Sequence, residues 1–527
     1  MQYFTVFTVL SLPLAWASPH FQQKQNNCTI GQIIDTSSGS VAGHAATDYP
    51  EVSEYLGIPY GQAPVGDLRF AAPVKYTGSS MLNGSVYGFT CHNLPSQPVS
   101  APTPAEIAAS NITVVGLKLA ELLGKQNVVY SEDCLNLNVW SKRQTGEKKA
   151  VMVFIHGGAF DGGTASSPAL NGAGLTDQGD VVTVTLNYRL SILGFPGNPA
   201  AQNNVAFLDQ RLAMEWVREN IANFGGDPER ITLFGQSAGA SSADYYAYAW
   251  PSDPIVAGII LESGTTFSFG LPYSKSVSAE AWYTVTAALG FGNASTDSGT
   301  LLSCMRNVEI TSLLSAVPTT GLAALISAFG PTVDNTIVFS NYTQQKPARI
   351  PVLVGSNDYE AGLFRTELAL SNLTFPDSIW DEYNLAAFTC PAGVRANASI
   401  AAHNPTWRYR YFGKFPNTNV SSEGGAYHGA ELPLLFGTTS STPGPNSTAE
   451  ELKFQNYLQG AWTKFAKDPV HGLRTYEGGW PLYNPAKETL IRLAYNSRVG
   501  TNLALPMLYD AGCVNASLSA LVASILG

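Results

Sequence analysis

Phe234-Gly235-Gln236-Ser237-Ala238-Gly239 follows the run Arg230 to Phe234, which has strand character, and precedes the small-residue stretch Ala240 to Ala243. Ser237 therefore stands where a strand turns sharply into a helix. Glycines two positions either side let neighbouring backbone pack against such a turn and allow dihedrals that a side chain would forbid. The expected result is a nucleophile elbow, with the serine oxygen held out over the edge of a sheet. Taken alone, the motif is also compatible with a glycine-rich turn carrying a passive serine.

The surrounding pattern switches repeatedly between short β-branched runs and helical periodicity. Ala150 to Ile155 and Val181 to Leu186 read as buried strands, and Leu208 to Asn223 sets Leu212, Trp216, Val217 and Ile221 on one helical face. Ile231 to Phe234, Gly258 to Leu261, Arg349 to Gly355 and Trp407 to Phe412 are further strand candidates. Alternation of this kind predicts an α/β fold, a mostly parallel central sheet with helices on both faces and sites at the carboxyl ends of strands. Both His156-Gly157-Gly158-Ala159 and Ser237 follow such ends. Thr438 to Pro445, built only of Gly, Thr, Ser and Pro, reads as a surface loop.

A chain of 527 residues with 45% hydrophobic content can bury an extensive core, and no linker or charge block divides it. The expectation is one domain over residues 18–527. Net charge is −10, and the 29 Lys and Arg form no basic stripe, which argues against nucleic acid as a partner. Met1 to Ala17 is an apolar run ending in Ala15-Trp16-Ala17, the small-x-small form that signal peptidase cuts, so a signal peptide and an extracellular, secreted product are expected. Ten N-x-S/T sequons agree with export, at Asn27, Asn83, Asn111, Asn293, Asn341, Asn372, Asn397, Asn419, Asn446 and Asn515. No second apolar run reaches the roughly 20 residues of a membrane span. Six cysteines fit an oxidising compartment and up to three disulfides, whose connectivity counting does not reveal. With no C-x-x-C or H-x-x-x-H spacing, neither a metal nor another cofactor is expected.

A serine hydroxyl is a weak nucleophile until a base takes its proton, and that base needs an orienting carboxylate. In α/β-hydrolases the chain order is serine, acid, histidine, which leaves His403, His428 and His471 after Ser237. His403 falls at the end of an alanine-rich helix and His471 in a turn after Asp468-Pro469. His428 lies in Gly424-Gly425-Ala426-Tyr427-His428-Gly429, where glycines permit an exposed loop and close approach to the serine. For the acid, Glu360 and Asp358 share one short loop after Val354, and spacing alone does not separate them.

The chain resembles the type-B carboxylesterase/lipase family, which includes cholinesterases and fungal lipases, and within it the secreted fungal esterases. The resemblance covers nearly the whole mature chain. It rests on Gly57-Ile58-Pro59-Tyr60 through Leu68-Arg69-Phe70, Ser131-Glu132-Asp133-Cys134-Leu135-Asn136-Leu137, His156 to Phe160, Phe224-Gly225-Gly226-Asp227-Pro228, Gly235 to Gly239 and Tyr427-His428-Gly429. It implies Glu360 as the acid, five residues after Gly355. It implies an oxyanion hole formed by the backbone N–H groups of Gly158, Ala159 and Ala238, with Ala159 where many members carry glycine. Gln236 stands where cholinesterase-like members have glutamate, which weakens the case for a cationic substrate. The resemblance further implies disulfides Cys91–Cys134 and Cys390–Cys513, leaving Cys28 and Cys304, and structural ion pairs Arg69–Glu132 and Arg189–Asp209. Between Cys91 and Cys134, the apolar positions of Ala105 to Leu123 read either as a lid or as a core-facing helix.

The expected function is hydrolysis of a small-molecule or lipid carboxylic ester through an acyl-enzyme on Ser237, with His428 as base and Glu360 orienting it. A triacylglycerol lipase and an esterase of plant phenolic acids are alternatives within the class. A catalytically silent, cholinesterase-like binding protein is the alternative outside it.

Overall fold

A computed structural model describes residues 29–93, 112–118, 128–143, 146–318, 327–370, 373–421, 424–441 and 444–521. Most of the Ala105 to Leu123 segment, the leader and Cys28 lie outside these residues. Among the described residues, eleven strands form one sheet. In chain order they are β3 (His44–Ala45), β4 (Val52–Pro59), β6 (Asn136–Lys142), β7 (Lys149–Ile155), β8 (Val182–Leu186), β9 (Gly226–Gln236), β10 (Gly258–Glu262), β11 (Val352–Asn357), β12 (Thr406–Tyr411), β13 (Leu490–Leu493) and β14 (Leu503–Ala504). A separate small sheet joins β1 (Ile33–Thr36), β2 (Gly39–Ala42) and β5 (Met81–Asn83).

The spatial order of the large sheet is β14-β13-β12-β11-β10-β9-β7-β8-β6-β4-β3. From β13 to β8 every pairing is parallel, as the alternating pattern predicts. Both ends are antiparallel, through β13–β14 on one side and β8–β6–β4–β3 on the other. The residue pattern of those outer strands does not display their pairing, so the mixed character emerges only from the assembled sheet.

Side-chain alternation along the strands divides the core in two. Val151, Val153 and Ile155 of β7 point into one cluster, shared with Met214, Trp216 and Val217 of helix Val205–Asn220 and with Ala240 and Ala243 of helix Ala238–Ala249. Met152 and Phe154 point into the other, shared with Leu458, Trp462 and Phe465 of helix Ala449–Lys467. A strand covered on both faces is buried along its whole length, which is why β7 reads as an unbroken hydrophobic run and β8 as a β-branched one whose Thr183 and Thr185 are also buried. Helices thus cover both faces.

Buried ion pairs hold the connections against this core. Arg69 pairs with Glu132, and Arg189 Nη2 lies 2.6 Å from Asp209 Oδ1 with both side chains almost wholly inaccessible. Removing either partner leaves an uncompensated buried charge, a loss of about 3–5 kcal/mol.

The structure pairs Cys91 with Cys134 and Cys390 with Cys513, while Cys304, partly buried, has no disulfide partner among the described residues. The first bridge closes a sequence separation of 43 residues. Chain entropy assigns a loop of that length about 4 kcal/mol of stabilisation. Cys91→Ser with Cys134→Ser is therefore expected to lower the melting temperature measured by calorimetry. Non-reducing peptide maps that find both residues as free thiols would remove the basis for that expectation. Thr438 to Pro445 is less open than its composition suggests, because Thr438 and Thr439 are buried.

Candidate active site

Ser237 occupies φ 60° and ψ −126° between the last residue of β9 and the first of helix Ala238–Ala249. That backbone geometry is costly for a residue bearing a side chain and persists only where its surroundings over-determine it. They do so here by close approach. A Cβ on Gly239 would lie 1.9 Å from the Ile155 carbonyl oxygen, one on Gly235 would lie 2.5 Å from the Gly239 backbone, and one on Gly264 would lie 2.1 Å from the Ser237 carbonyl oxygen. The Ser237 N–H donates to the Glu262 carbonyl at 2.8 Å. The exits of β7 and β10 thus clamp the turn.

Gly239→Ala is expected to cost about 3 kcal/mol, the upper end of the overpacking range, because the clashing atom is backbone and cannot step aside. Gly299→Ala, on a helix where the nearest atom is the Asp297 side-chain carboxylate at 3.3 Å rather than backbone, serves as the milder control. Equal melting temperatures for the two variants would contradict the clamp.

His428 is buried, at 6% exposure, on the segment between β12 and helix Leu432–Phe436. This corrects the expected exposed loop: Phe364 and Phe388 pack on its ring at 5.0 and 4.9 Å between centroids and close it off from solvent. Its Nδ1 lies 2.7 Å from Glu360 Oε2, and its Nε2 is buried with no hydrogen-bond partner among the described residues. His403 and His471 are both exposed.

Glu360 is fully buried, and its second oxygen accepts the Asn357 N–H at 2.6 Å. Its own N–H donates to Asn384 Oδ1 at 2.7 Å. The neighbouring Asp358 turns the other way. Its Oδ1 accepts from Arg410 Nε at 2.8 Å, and its side chain is one-third exposed. The loop after β11 therefore separates two carboxylates that spacing left equivalent.

Behind this pair lies a second tier that the sequence reading did not single out. Asn357 Nδ2 donates to the Tyr427 carbonyl at 2.6 Å and to Glu431 Oε2. Burial, reinforced by the charge of Glu360, pushes the Glu431 carboxyl up to about 7. Glu262 is likewise raised, by burial and by the charge of Glu431, and accepts from Trp462 Nε1 at 2.6 Å. Glu431 lies only three residues after His428, a spacing that could have drawn attention to it. Glu262 carries no such sequence signal.

Past β7, Gly158 has φ 108° and Ala159 φ 54°. A Cβ on Gly158 would approach the Gly162 carbonyl oxygen to 2.3 Å, and the Gly158 carbonyl accepts the N–H groups of Asp161 and Gly162, both at 2.9 Å. This tight turn leaves the Gly158 and Ala159 N–H groups without an acceptor among the described residues. Ala238 opens its helix, so its N–H has no intrahelical acceptor and sits at the positive end of the helix dipole. His156, stacked on Tyr188 at 4.6 Å, is held down to about 4 by burial and is neutral at ordinary pH. Gln236 brings an uncharged amide to the same region, with Nε2 buried and unpartnered among the described residues.

A strained serine, a carboxylate-bound buried imidazole and backbone N–H groups without acceptors among the described residues are the kinds of group that acyl transfer uses. The carboxylesterase family model matches residues 31–384 and 377–507. The chain belongs to that family. This carboxylesterase-family chain is 36% identical to a chlorogenic acid esterase of Aspergillus niger over 87% of each chain. It is 34% identical to secreted lipase 5 of Gibberella zeae, over 92% of this chain and 94% of the relative. Among solved structures it matches a PNB esterase with TM-score 0.73 and 28% identity, covering 90% of this chain and 97% of the other. The fold is accordingly the α/β-hydrolase fold, and the chain is a carboxylic ester hydrolase. No helix among the described residues is long and apolar enough to cross a membrane.

Proposed function

We propose that this hydrolase is exported after loss of residues 1–17, that residues 18–527 act as one unit, and that it cleaves esters through an acyl-enzyme on Ser237. The observation that carries the reading is the 2.7 Å contact between His428 Nδ1 and Glu360 Oε2, which leaves a buried Nε2 available. His428 takes the Ser237 proton as the oxygen attacks the ester carbonyl, then returns it to the leaving alcohol. Glu360 holds the ring in the tautomer with Nδ1–H and stabilises the imidazolium. The N–H groups of Gly158, Ala159 and Ala238 receive the oxyanion, each donor contributing on the order of 2.7–4 kcal/mol of transition-state stabilisation. Water repeats the sequence on the acyl-enzyme and releases the acid.

The Ala159 methyl narrows the space beside the oxyanion site for bulky alcohol groups, and the neutral Gln236 offers no charge to a cationic substrate. A phenolic-acid ester is the substrate reading favoured by the similarity to a chlorogenic acid esterase. A fluorophosphonate is expected to label Ser237, read by peptide mapping, with loss of p-nitrophenyl ester hydrolysis in step with labelling. Inactivation with the label on a different residue would defeat the assignment. Comparing kcat/KM for a hydroxycinnamate ester with that for long-chain p-nitrophenyl esters separates the phenolic from the lipid reading.

A further inference from the structure

Three of the sequons share one local geometry. Asn83 Oδ1 accepts the Ser85 N–H at 3.0 Å and the Ser85 hydroxyl at 2.7 Å. Asn293 Oδ1 accepts the Ser295 N–H at 3.0 Å and its hydroxyl at 2.8 Å. Asn341 Oδ1 accepts the Thr343 N–H at 3.0 Å and its hydroxyl at 2.7 Å. All three asparagines are exposed.

Two other described sequons, Asn397 and Asn419, differ. At Asn397, the partner hydroxyl of Ser399 is fully buried and accepts from Thr406 Oγ1 at 2.8 Å. At Asn419, Oδ1 is itself buried without a partner among the described residues.

We propose that Asn83, Asn293 and Asn341 are N-glycan acceptors, and that the hydroxyl-closed turn distinguishes them from Asn397 and Asn419. The inference rests on the export reading above. Two donors on Oδ1 draw electron density from the amide, which makes its Nδ2 proton easier to remove. In the transfer, Nδ2 bonds to C1 of a lipid-linked oligosaccharide diphosphate, the C1–O bond to the diphosphate breaks, and one amide proton passes to a base of the transferase. The lipid diphosphate leaves. Each turn spans only three residues and is closed by the sequon's own groups. The sites also lie apart in sequence and structure: on strand β5 of the small sheet, in the loop before helix Ser298–Arg306, and at the start of the turn Tyr342–Gln344.

The test is glycopeptide mapping of the protein exported from a eukaryotic host, once with its own leader and once with a host leader ahead of residue 18. Release of glycans by an amidase in H2(18)O converts each occupied asparagine to labelled aspartate. Labelled aspartate as the main species at residues 83, 293 and 341, with residues 397 and 419 remaining asparagine, is the expected result. Ser85→Ala should lose the label at 83 and Ser85→Thr should restore it. Unmodified asparagine as the main species at any of the three sites in the host-leader protein overturns the proposal. Equal labelling at 397 or 419 does so too, because the turn would then discriminate nothing. Failure of only the native-leader protein to leave the cell rejects the export reading, while the host-leader map still decides the sites.

Discussion

Ser237→Ala is expected to lower kcat for ester hydrolysis on the order of 10⁶-fold while the protein remains folded. The activity loss follows from removing the atom that forms the acyl bond, which neither the imidazole nor the oxyanion donors can replace. Retained folding follows from the structure. The turn is held by the Ser237 N–H on the Glu262 carbonyl and by the close approach of Gly235, Gly239 and Gly264, none of which uses the hydroxyl. The melting temperature should therefore stay near that of the parent, and the variant should still bind substrate. The decisive measurement is burst-phase kinetics with a p-nitrophenyl ester: the parent should show a rapid stoichiometric phase and the variant none. A folded variant that still turns over at a tenth of the parental rate would place the nucleophile elsewhere.

Glu360→Gln should reduce kcat by up to about 10⁴-fold, whereas Asp358→Asn should leave it nearly unchanged. One glutamate oxygen accepts the Asn357 N–H at 2.6 Å, and a glutamine can preserve that contact with its carbonyl. Its NH2 then faces His428 Nδ1, forces that nitrogen to accept, and moves the ring proton to Nε2, where it blocks removal of the serine proton. Asp358→Asn instead weakens a partly exposed contact with Arg410. Such a contact is worth about 1 kcal/mol or less, so the variant should show a small fall in melting temperature and a normal rate. If Asp358→Asn were the crippling change, the two carboxylates would have to exchange roles.

The elbow and the parallel centre of the sheet are legible in the sequence because their determinants are local. Glycine spacing around Ser237 reports a turn that only glycine permits, and the apolar run at Ala150 to Ile155 and the β-branched run at Val181 to Leu186 report strands covered on both faces. The motif from His156 to Ala159 was likewise readable as a loop after a strand, although its unpaired N–H groups were not. The antiparallel outer strands were not legible. Nothing in β4, β6 or β14 encodes which neighbour it meets.

Sequence by itself determined where the chain turns sharply, which segments must be buried and which residue types are available for acyl chemistry, because backbone strain and side-chain period act over a few residues. Only the tertiary structure decided which carboxylate meets which imidazole. Asp358 and Glu360 are two residues apart, and they diverge because Arg410 of the adjacent strand draws one aside while His428, 68 positions beyond Glu360, takes the other. The burial of His428 was likewise decided by Phe364 and Phe388, which arrive from separate parts of the chain and exclude water from a loop whose glycines suggested exposure. The raised carboxyls of Glu262 and Glu431 have the same origin. Desolvation and charge–charge repulsion depend on distances through space, and those exist only once the strands have assembled.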